Sequence, residues 1–280
     1  MIGEYIRVSS AQEGLQELHK EGVKASFLAG GTEIMRLGST VDCSKVVSLR
    51  DLNLDGIFEK NKAVHIGSTV TFQKALENPI IPSYLKEALR YCASRQKRNM
   101  ATIGGNIALG RDDSYLMATL IAAKARLVLA DISKDGLYSE ENIPIREYHS
   151  FKDHFSGSLI LEIVLNKVGR YVVSERFSKT EHGNAAVTLS FGADISNNEI
   201  HDVRIAAAVK GSGLLRLQEV EALIGESKKV NKDDLAALAT NNIAFVDDIS
   251  GSASYKKYIL GTTVAKFYND CLQAIEKGGK

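Results

Sequence analysis

The sequence predicts an α+β fold in two domains, and three observations carry that reading. Helix and strand signals alternate as far as Leu165, with the chain punctuated by glycine pairs. From Tyr171 the pattern changes to three strand signals followed by three helical ones, and such segregation into blocks marks an α+β domain. A length of 280 residues corresponds to roughly two domains.

Taken in order, Ser10-Ala-Gln-Glu13 is a capping box that opens a short helix with Leu15 and Leu18 on one face. Lys24 to Ala29 reads as a strand that runs into Gly30-Gly31, and Lys45 to Leu49 and Ala63 to Gly67 are short Val- and Ile-bearing strands. After Pro82-Ser83, the residues Leu85, Ala88, Leu89 and Cys92 fall at i, i+3, i+4 and i+7, which predicts a helix to about Ala93. A polar stretch from Ser94 to Asn99 leads into Ala101-Thr-Ile-Gly-Gly-Asn-Ile107. An apolar helix over about 115–123 and strands over Arg126 to Ala130 and Leu159 to Leu165 follow. In the second half, Tyr171 to Phe177, Ala186 to Ala193 and Val203 to Val209 read as strands. Leu215 to Ile224, Lys232 to Asn241 and Tyr255 to about Ile275 read as helices. Asn166-Lys-Val-Gly-Arg170 is the expected boundary, which gives domains 1–168 and 169–280.

Composition narrows the function classes. With 44% hydrophobic and 25% charged residues the chain is neither disordered nor fibrous. Lys+Arg of 35 against Asp+Glu of 34 leaves a formal charge of +1, so no global field favours nucleic acid or anionic lipid. The run Arg95-Gln-Lys-Arg98 lacks interleaved aromatics and reads as a solvated loop or partner surface. Glu4 stands where a signal peptide needs basic residues, and the apolar stretch Met117 to Ala130 is interrupted by Lys124 and Arg126. The expectation is a cytoplasmic protein that does not enter a membrane. Cys43, Cys92 and Cys271 form no C-x-x-C pair, and the six histidines show no H-x-x-x-H spacing. No metal or iron–sulfur site built from this chain alone is expected, and no residue is assigned a catalytic role.

Chemistry concentrates at the glycine pairs. Adjacent glycines permit positive φ and let backbone N–H groups approach a ligand with no Cβ in the way. Successive N–H groups turned one way form an anion-binding concavity suited to a diphosphate. Thr32, Thr102 and Asn106 add side-chain donors beside the two pairs. Neither segment is G-x-G-x-x-G or G-x-x-x-x-G-K-[ST], so a Rossmann or P-loop site is not the reading.

Ala29-Gly-Gly-Thr-Glu-Ile34 together with Ala101-Thr-Ile-Gly-Gly-Asn-Ile107 resembles the FAD-binding medium subunit of molybdenum hydroxylases, the family of xanthine dehydrogenase and carbon monoxide dehydrogenase. The likeness covers nearly the whole chain, including Arg176-Phe-Ser-Lys179 and Gly251-Ser-Ala-Ser-Tyr-Lys-Lys-Tyr-Ile259. Within that family the chain is similar to a short bacterial branch of xanthine dehydrogenase flavin subunits. The resemblance implies a flavin domain of two subdomains, about 1–58 and 59–168, followed by three antiparallel strands and a helical bundle. It implies non-covalent FAD held by Phe27, Leu28, Ala29, Gly30, Gly31, Thr32, Glu33 and Ile34 on one side and by Thr102, Gly104, Gly105 and Asn106 on the other. Leu159 or Ile160 corresponds to the residue against the flavin ring, and Arg176, with Lys179 as the other choice, to a cation at its pyrimidine edge. One departure stands out: Tyr115 occupies the position of a cofactor-contacting Asp, so that either Asp112 or Asp113 takes over the contact or FAD is held more loosely, while Arg111 offers a partner for a phosphate or is a solvated loop charge.

By the same resemblance the chain acts in electron transfer. A partner subunit carries the molybdenum cofactor, another carries [2Fe-2S] clusters, and electrons pass through FAD to NAD or another acceptor. Two alternatives stand beside this: an assembly subunit that has lost FAD, and a stand-alone flavin oxidoreductase. The second needs a substrate base or a covalent flavin anchor, and no His or Cys lies in the first glycine segment.

Overall fold

The computed structural model describes residues 2–20, 22–111, 113–166, 170–181, 183–226 and 230–278. The chain separates into two compact units, one of residues 1–81, 93–110 and 125–166, the other of 82–92, 111–124 and 167–280. The expected boundary residues Lys167, Val168 and Gly169 lie outside the described residues.

The first unit begins with three parallel strands, β1 (Glu4–Arg7), β2 (Ala25–Leu28) and β3 (Lys45–Ser48), in the order β1-β3-β2. All four residues of β3 are buried, as a central strand requires. Helix α1 (Ala11–Leu18) links β1 to β2; Ser10 Oγ accepts from the Glu13 N–H at 3.1 Å, and the Glu13 carboxylate accepts from the Ser9 N–H at 2.7 Å. This reciprocal cap satisfies donors that the first helical turn leaves open.

A five-stranded antiparallel sheet completes the unit. It is formed by β4 (Ile57–Lys60), β5 (Ala63–Gly67), β6 (Arg126–Ile132), β7 (Tyr138–Pro144) and β8 (Leu159–Asn166), in the order β4-β5-β8-β6-β7. The Leu-Ile-Leu-Glu-Ile-Val-Leu run places β8 at the centre, where apolar residues are buried on both faces. Leu15 and Leu49 pack with Ala130, Leu159 and Leu161, so one apolar cluster ties the parallel strands to this sheet. Short helices α2 (Phe72–Glu77), α4 (Arg95–Arg98), α5 (Ile103–Leu109) and α7 (Ile145–Ser150) lie in the connections.

In the second unit a meander of β9 (Arg170–Ser178), β10 (Ala185–Ser196), β11 (Glu199–Val209) and β12 (Gly213–Arg216) forms an antiparallel sheet. Asn197 and Asn198 turn β10 into β11 with φ of 51° and 60°, the two positive angles that a tight hairpin of this hand requires. Leu189, Phe191, Ile205 and Ala207 meet α8 (Gln218–Glu226), α9 (Lys232–Thr240) and α10 (Ala253–Gly278) in one core. On the other face, α6 (Tyr115–Ala122) lies so close that a Cβ on Gly192 would fall 2.0 Å from the Ala122 carbonyl oxygen. Thr119 on α6 bonds Ser174 Oγ and Ser190 Oγ across that interface, and α3 (Ser83–Cys92) packs beside α6.

The sheet therefore has four strands, not the three expected. Gly213, at φ 93°, closes a turn after β11, so Leu214 to Arg216 pair with Ala206 to Ala208 before helix α8 begins. Among the described residues no helix is long and apolar enough to cross a membrane.

Candidate functional site

The first glycine pair forms an open loop. Strand β2 ends at Leu28, whose carbonyl accepts from the Leu49 N–H at 3.0 Å, and the chain then leaves the sheet through Ala29-Gly30-Gly31. A Cβ on Gly30 would sit 1.7 Å from the Met100 carbonyl oxygen, so only glycine lets the 97–101 backbone lie against the loop. Gly31 adopts φ 70°, and a Cβ there would meet only side-chain atoms, Leu28 Cδ1 and Met35 Cγ, each at 3.4 Å. The turn continues with the Met35 N–H donating to the Gly31 carbonyl at 3.0 Å, and Glu33 is gripped by Arg36 through two bonds of 2.6 and 3.0 Å. Among the described residues, the backbone N–H groups of Gly30, Gly31, Thr32 and Ile34 have no protein acceptor. Four donors left open on one short loop fit an anionic diphosphate.

The second pair is the start of a helix, not a loop. Thr102 caps α5, its Oγ1 accepting from the Gly105 N–H at 3.1 Å. The Ile103 N–H donates to the Val70 carbonyl at 3.0 Å, the Gly104 N–H to the Ser68 carbonyl at 2.8 Å, and the Asn106 N–H to the Thr102 carbonyl at 3.0 Å. These donors are already spent inside the protein. The glycines serve close packing instead: a Cβ on Gly104 would lie 2.5 Å from Ser68 Cβ, and one on Gly105 would lie 2.7 Å from the capping Thr102 Oγ1. Gly105 is exposed and Gly104 buried, so Gly105 alone of the two presents bare backbone to solvent. Gly104→Ala is expected to destabilise the protein by about 1–3 kcal/mol, the usual cost of forcing an extra methyl into a packed site. Thermal denaturation followed by circular dichroism checks this; an unchanged midpoint would mean that Ser68 moves aside freely.

Leu159 and Ile160 are both buried in β8, and Leu159 belongs to the cluster with Leu15 and Leu49. Neither offers an open apolar face. The remaining predicted residue, Arg176, lies in the second unit on β9, where its guanidinium donates to Ser178 Oγ at 2.7 Å, the Glu181 carbonyl at 3.0 Å and the Gly183 carbonyl. Burial lowers its pKa. Lys179 is exposed.

The family position held by Tyr115 is buried at the start of α6, and burial raises the phenol pKa. Asp113 is gripped by Arg111 at 2.8 Å and by Lys210 at 2.9 Å, and these partners, Arg111 foremost, hold its carboxyl down to about 2. Both Arg111 and Asp113 are thus engaged within the protein, and Asp112 lies outside the described residues. Cys92 and Cys271 are pushed up to about 12 by burial, which leaves both as thiols. No group of three or more His, Cys, Asp or Glu side chains that could hold a metal occurs among the described residues.

Sequence reading missed the partners that shape the site, Met100 against Gly30 and Ser68 against Gly104. The only signal for either was that a glycine must be there for some backbone to pass.

A strand that ends in a glycine loop with open N–H donors, set beside a sheet with a buried central strand, is compatible with a binder of a phosphate-bearing cofactor. Residues 1–165 match the model of the FAD binding domain in molybdopterin dehydrogenase, and the chain belongs to that family. It is 30% identical to the uncharacterized protein YgfM of Escherichia coli, over 99% of both chains. It is 25% identical to the glyceraldehyde dehydrogenase medium chain of Sulfolobus acidocaldarius, over 95% of this chain and 97% of that one. The fold matches that of carbon monoxide dehydrogenase from Hydrogenophaga pseudoflava with a TM-score of 0.80 and 24% identity, covering 95% of this chain and 96% of the other. The protein is accordingly an FAD-binding oxidoreductase subunit of the molybdenum-hydroxylase type.

Proposed function

We propose that this chain is the electron-transfer subunit of a cytoplasmic molybdenum hydroxylase, taking electrons from iron–sulfur clusters on one partner and passing them to NAD or another acceptor. Substrate hydroxylation belongs to a second partner that carries the molybdenum cofactor. The observation that carries this reading is the set of open N–H donors from Gly30 to Ile34 in a chain of this family. When bound, FAD supplies the redox chemistry, and the protein supplies position and electrostatics. The Gly30, Gly31, Thr32 and Ile34 N–H groups would hold the diphosphate, and the absence of a Cβ at Gly31 would let it approach the backbone. The Thr102 cap and the Gly104–Ser68 contact fix the neighbouring helix start and leave the exposed Gly105 as its point of nearest approach. No side chain is needed to move a proton.

Purified with FAD present, the chain is expected to carry about one flavin per polypeptide, since the family domain occurs once. Acid precipitation should release that flavin into the supernatant, because Phe27 to Ile34 contains no Cys or His to anchor it. The visible spectrum and a flavin assay of both fractions check this. Flavin that stays with the precipitate would overturn the non-covalent site. A chain that takes up none at micromolar FAD would leave the assembly role standing instead.

A further inference from the structure

Met35 is 70% exposed, and its Cγ lies 3.4 Å from the position a Cβ would take on Gly31. It therefore puts an oxidisable thioether beside the loop whose N–H groups at Gly30, Gly31, Thr32 and Ile34 have no acceptor among the described residues. Two other methionines serve as internal controls. Met100 is 56% exposed, but it meets the loop through its carbonyl oxygen at Gly30, and Met117 is 1% exposed within α6.

We infer that Met35 is a peroxide-sensitive modification site that closes the Gly30–Ile34 loop. Hydrogen peroxide transfers one oxygen to the Met35 Sδ. The O–O bond breaks, an S–O bond forms, sulfur gives up two electrons, and the peroxide leaves as water with no proton taken from the protein. The product is a sulfoxide, a strong hydrogen-bond acceptor where a weak one stood. Met35 has three rotatable bonds and its Cγ lies on the side of Gly31 where a Cβ would stand, which puts the new oxygen within reach of the open donors, from which it accepts. Those donors are then no longer available to an external anion. The effect is reversible, because methionine sulfoxide is reducible back to the thioether. This inference rests on the reading that the loop holds the FAD diphosphate, and the test separates the two.

The full chain, Met35→Leu and Met100→Leu are each treated with hydrogen peroxide, and oxygen uptake is mapped by peptide mass spectrometry. Met35 and Met100 should gain oxygen and Met117 should not. Hydrogen exchange of the peptide spanning Phe27 to Arg36 is then measured without FAD. Exchange should slow by about tenfold in the oxidised parent, roughly the worth of one net hydrogen bond. The same slowing is expected in oxidised Met100→Leu, and none in Met35→Leu. FAD titration by flavin fluorescence should show a matching loss of about tenfold in affinity in the first two proteins only. Treatment with a methionine sulfoxide reductase should restore both readouts. Oxidised Met35 with unchanged exchange overturns the inference, as does an equal effect in Met35→Leu. If the untreated parent binds no FAD while exchange still slows on oxidation, the FAD reading fails and the switch at the loop survives.

Discussion

Gly31→Asp is expected to weaken FAD binding by about a hundredfold or more, while Gly31→Asn loses much less. Two effects combine in the Asp variant. The backbone at Gly31 holds φ 70°, where a side chain costs about 1–2 kcal/mol. Asn and Asp are the residues that tolerate this region best, so both variants carry a similar share of that strain. The difference between them is charge. At about 4 Å from a phosphate and an effective dielectric of about 20, like charges repel by about 4 kcal/mol. Since each 1.4 kcal/mol is about a factor of ten, half of that repulsion already exceeds the strain-only loss by more than tenfold.

Gly136 provides the control. It has φ 78° in the turn joining β6 and β7, and a Cβ there would meet nothing within 4 Å. Gly136→Asp therefore repeats the backbone strain and the added charge away from the loop, and should bind FAD like the parent. Flavin-fluorescence titration of the three variants, with folding verified by circular dichroism, decides the matter. A Gly31→Asp protein that folds and binds FAD as the parent does would make the Gly30–Ile34 segment a turn and nothing more. Gly30 and Gly104 are poor probes by comparison, because a Cβ at either meets backbone or a buried side chain within 2.5 Å.

What the sequence shows of this site depends on whether the cause is local. The strand of Ala25 to Leu28 stops at two glycines, and that pattern is written in consecutive residues, so it is legible. The buried central strand β8 is legible for the same reason: its apolar run is unbroken except at Glu162. The second glycine pair misleads, because two glycines look like a loop until Thr102 is known to cap a helix and Gly104 to rest on Ser68. That contact joins segments far apart in the chain and leaves no periodicity to read. Polar edge strands are hidden by a different cause. Tyr138 to Pro144 carries Glu140, Glu141 and Asn142, which have low strand propensity but suit an exposed edge that must not pair with another chain. Asp113 illustrates the limit for charges. Its proximity to Arg111 can be read directly, but its bond to Lys210 depends on the folding of the whole second unit.

Lys256→Met is expected to destabilise the second unit by about 1–3 kcal/mol, the cost of leaving acceptors around a buried ammonium without their donor. Lys256 is fully buried near the start of α10. Its Nζ donates to the Lys210 carbonyl and the Val246 carbonyl, each at 2.9 Å, and pairs with Asp248 Oδ2 at 2.8 Å. Three acceptors match the three protons of an ammonium group, so the charge is fully compensated. These bonds tie the end of β11, the 243–248 segment and the last helix to one point. Methionine fills a similar volume, yet it leaves two carbonyls without their donor and the Asp248 carboxylate with the Ser250 donors only. For a domain of this size the thermal midpoint should fall by roughly 2–4 °C per kcal/mol. The pH dependence gives a second, independent readout. The Lys256 ammonium foremost, with the Ser250 hydroxyl and N–H, holds the Asp248 carboxyl below the ordinary carboxylate range. A carboxyl lowered in this way contributes stability that is complete above its unfolded pKa of about 4 and is lost as pH falls through the folded value. The parent should therefore lose this contribution only below about pH 4, and Lys256→Met should show a shallower decline there. Asp248→Asn in the Lys256→Met background should cost little more than the single change, because the pair acts as one unit. Additive losses in that cycle, or a midpoint unchanged by Lys256→Met, would show that the buried ammonium does not hold this corner of the fold.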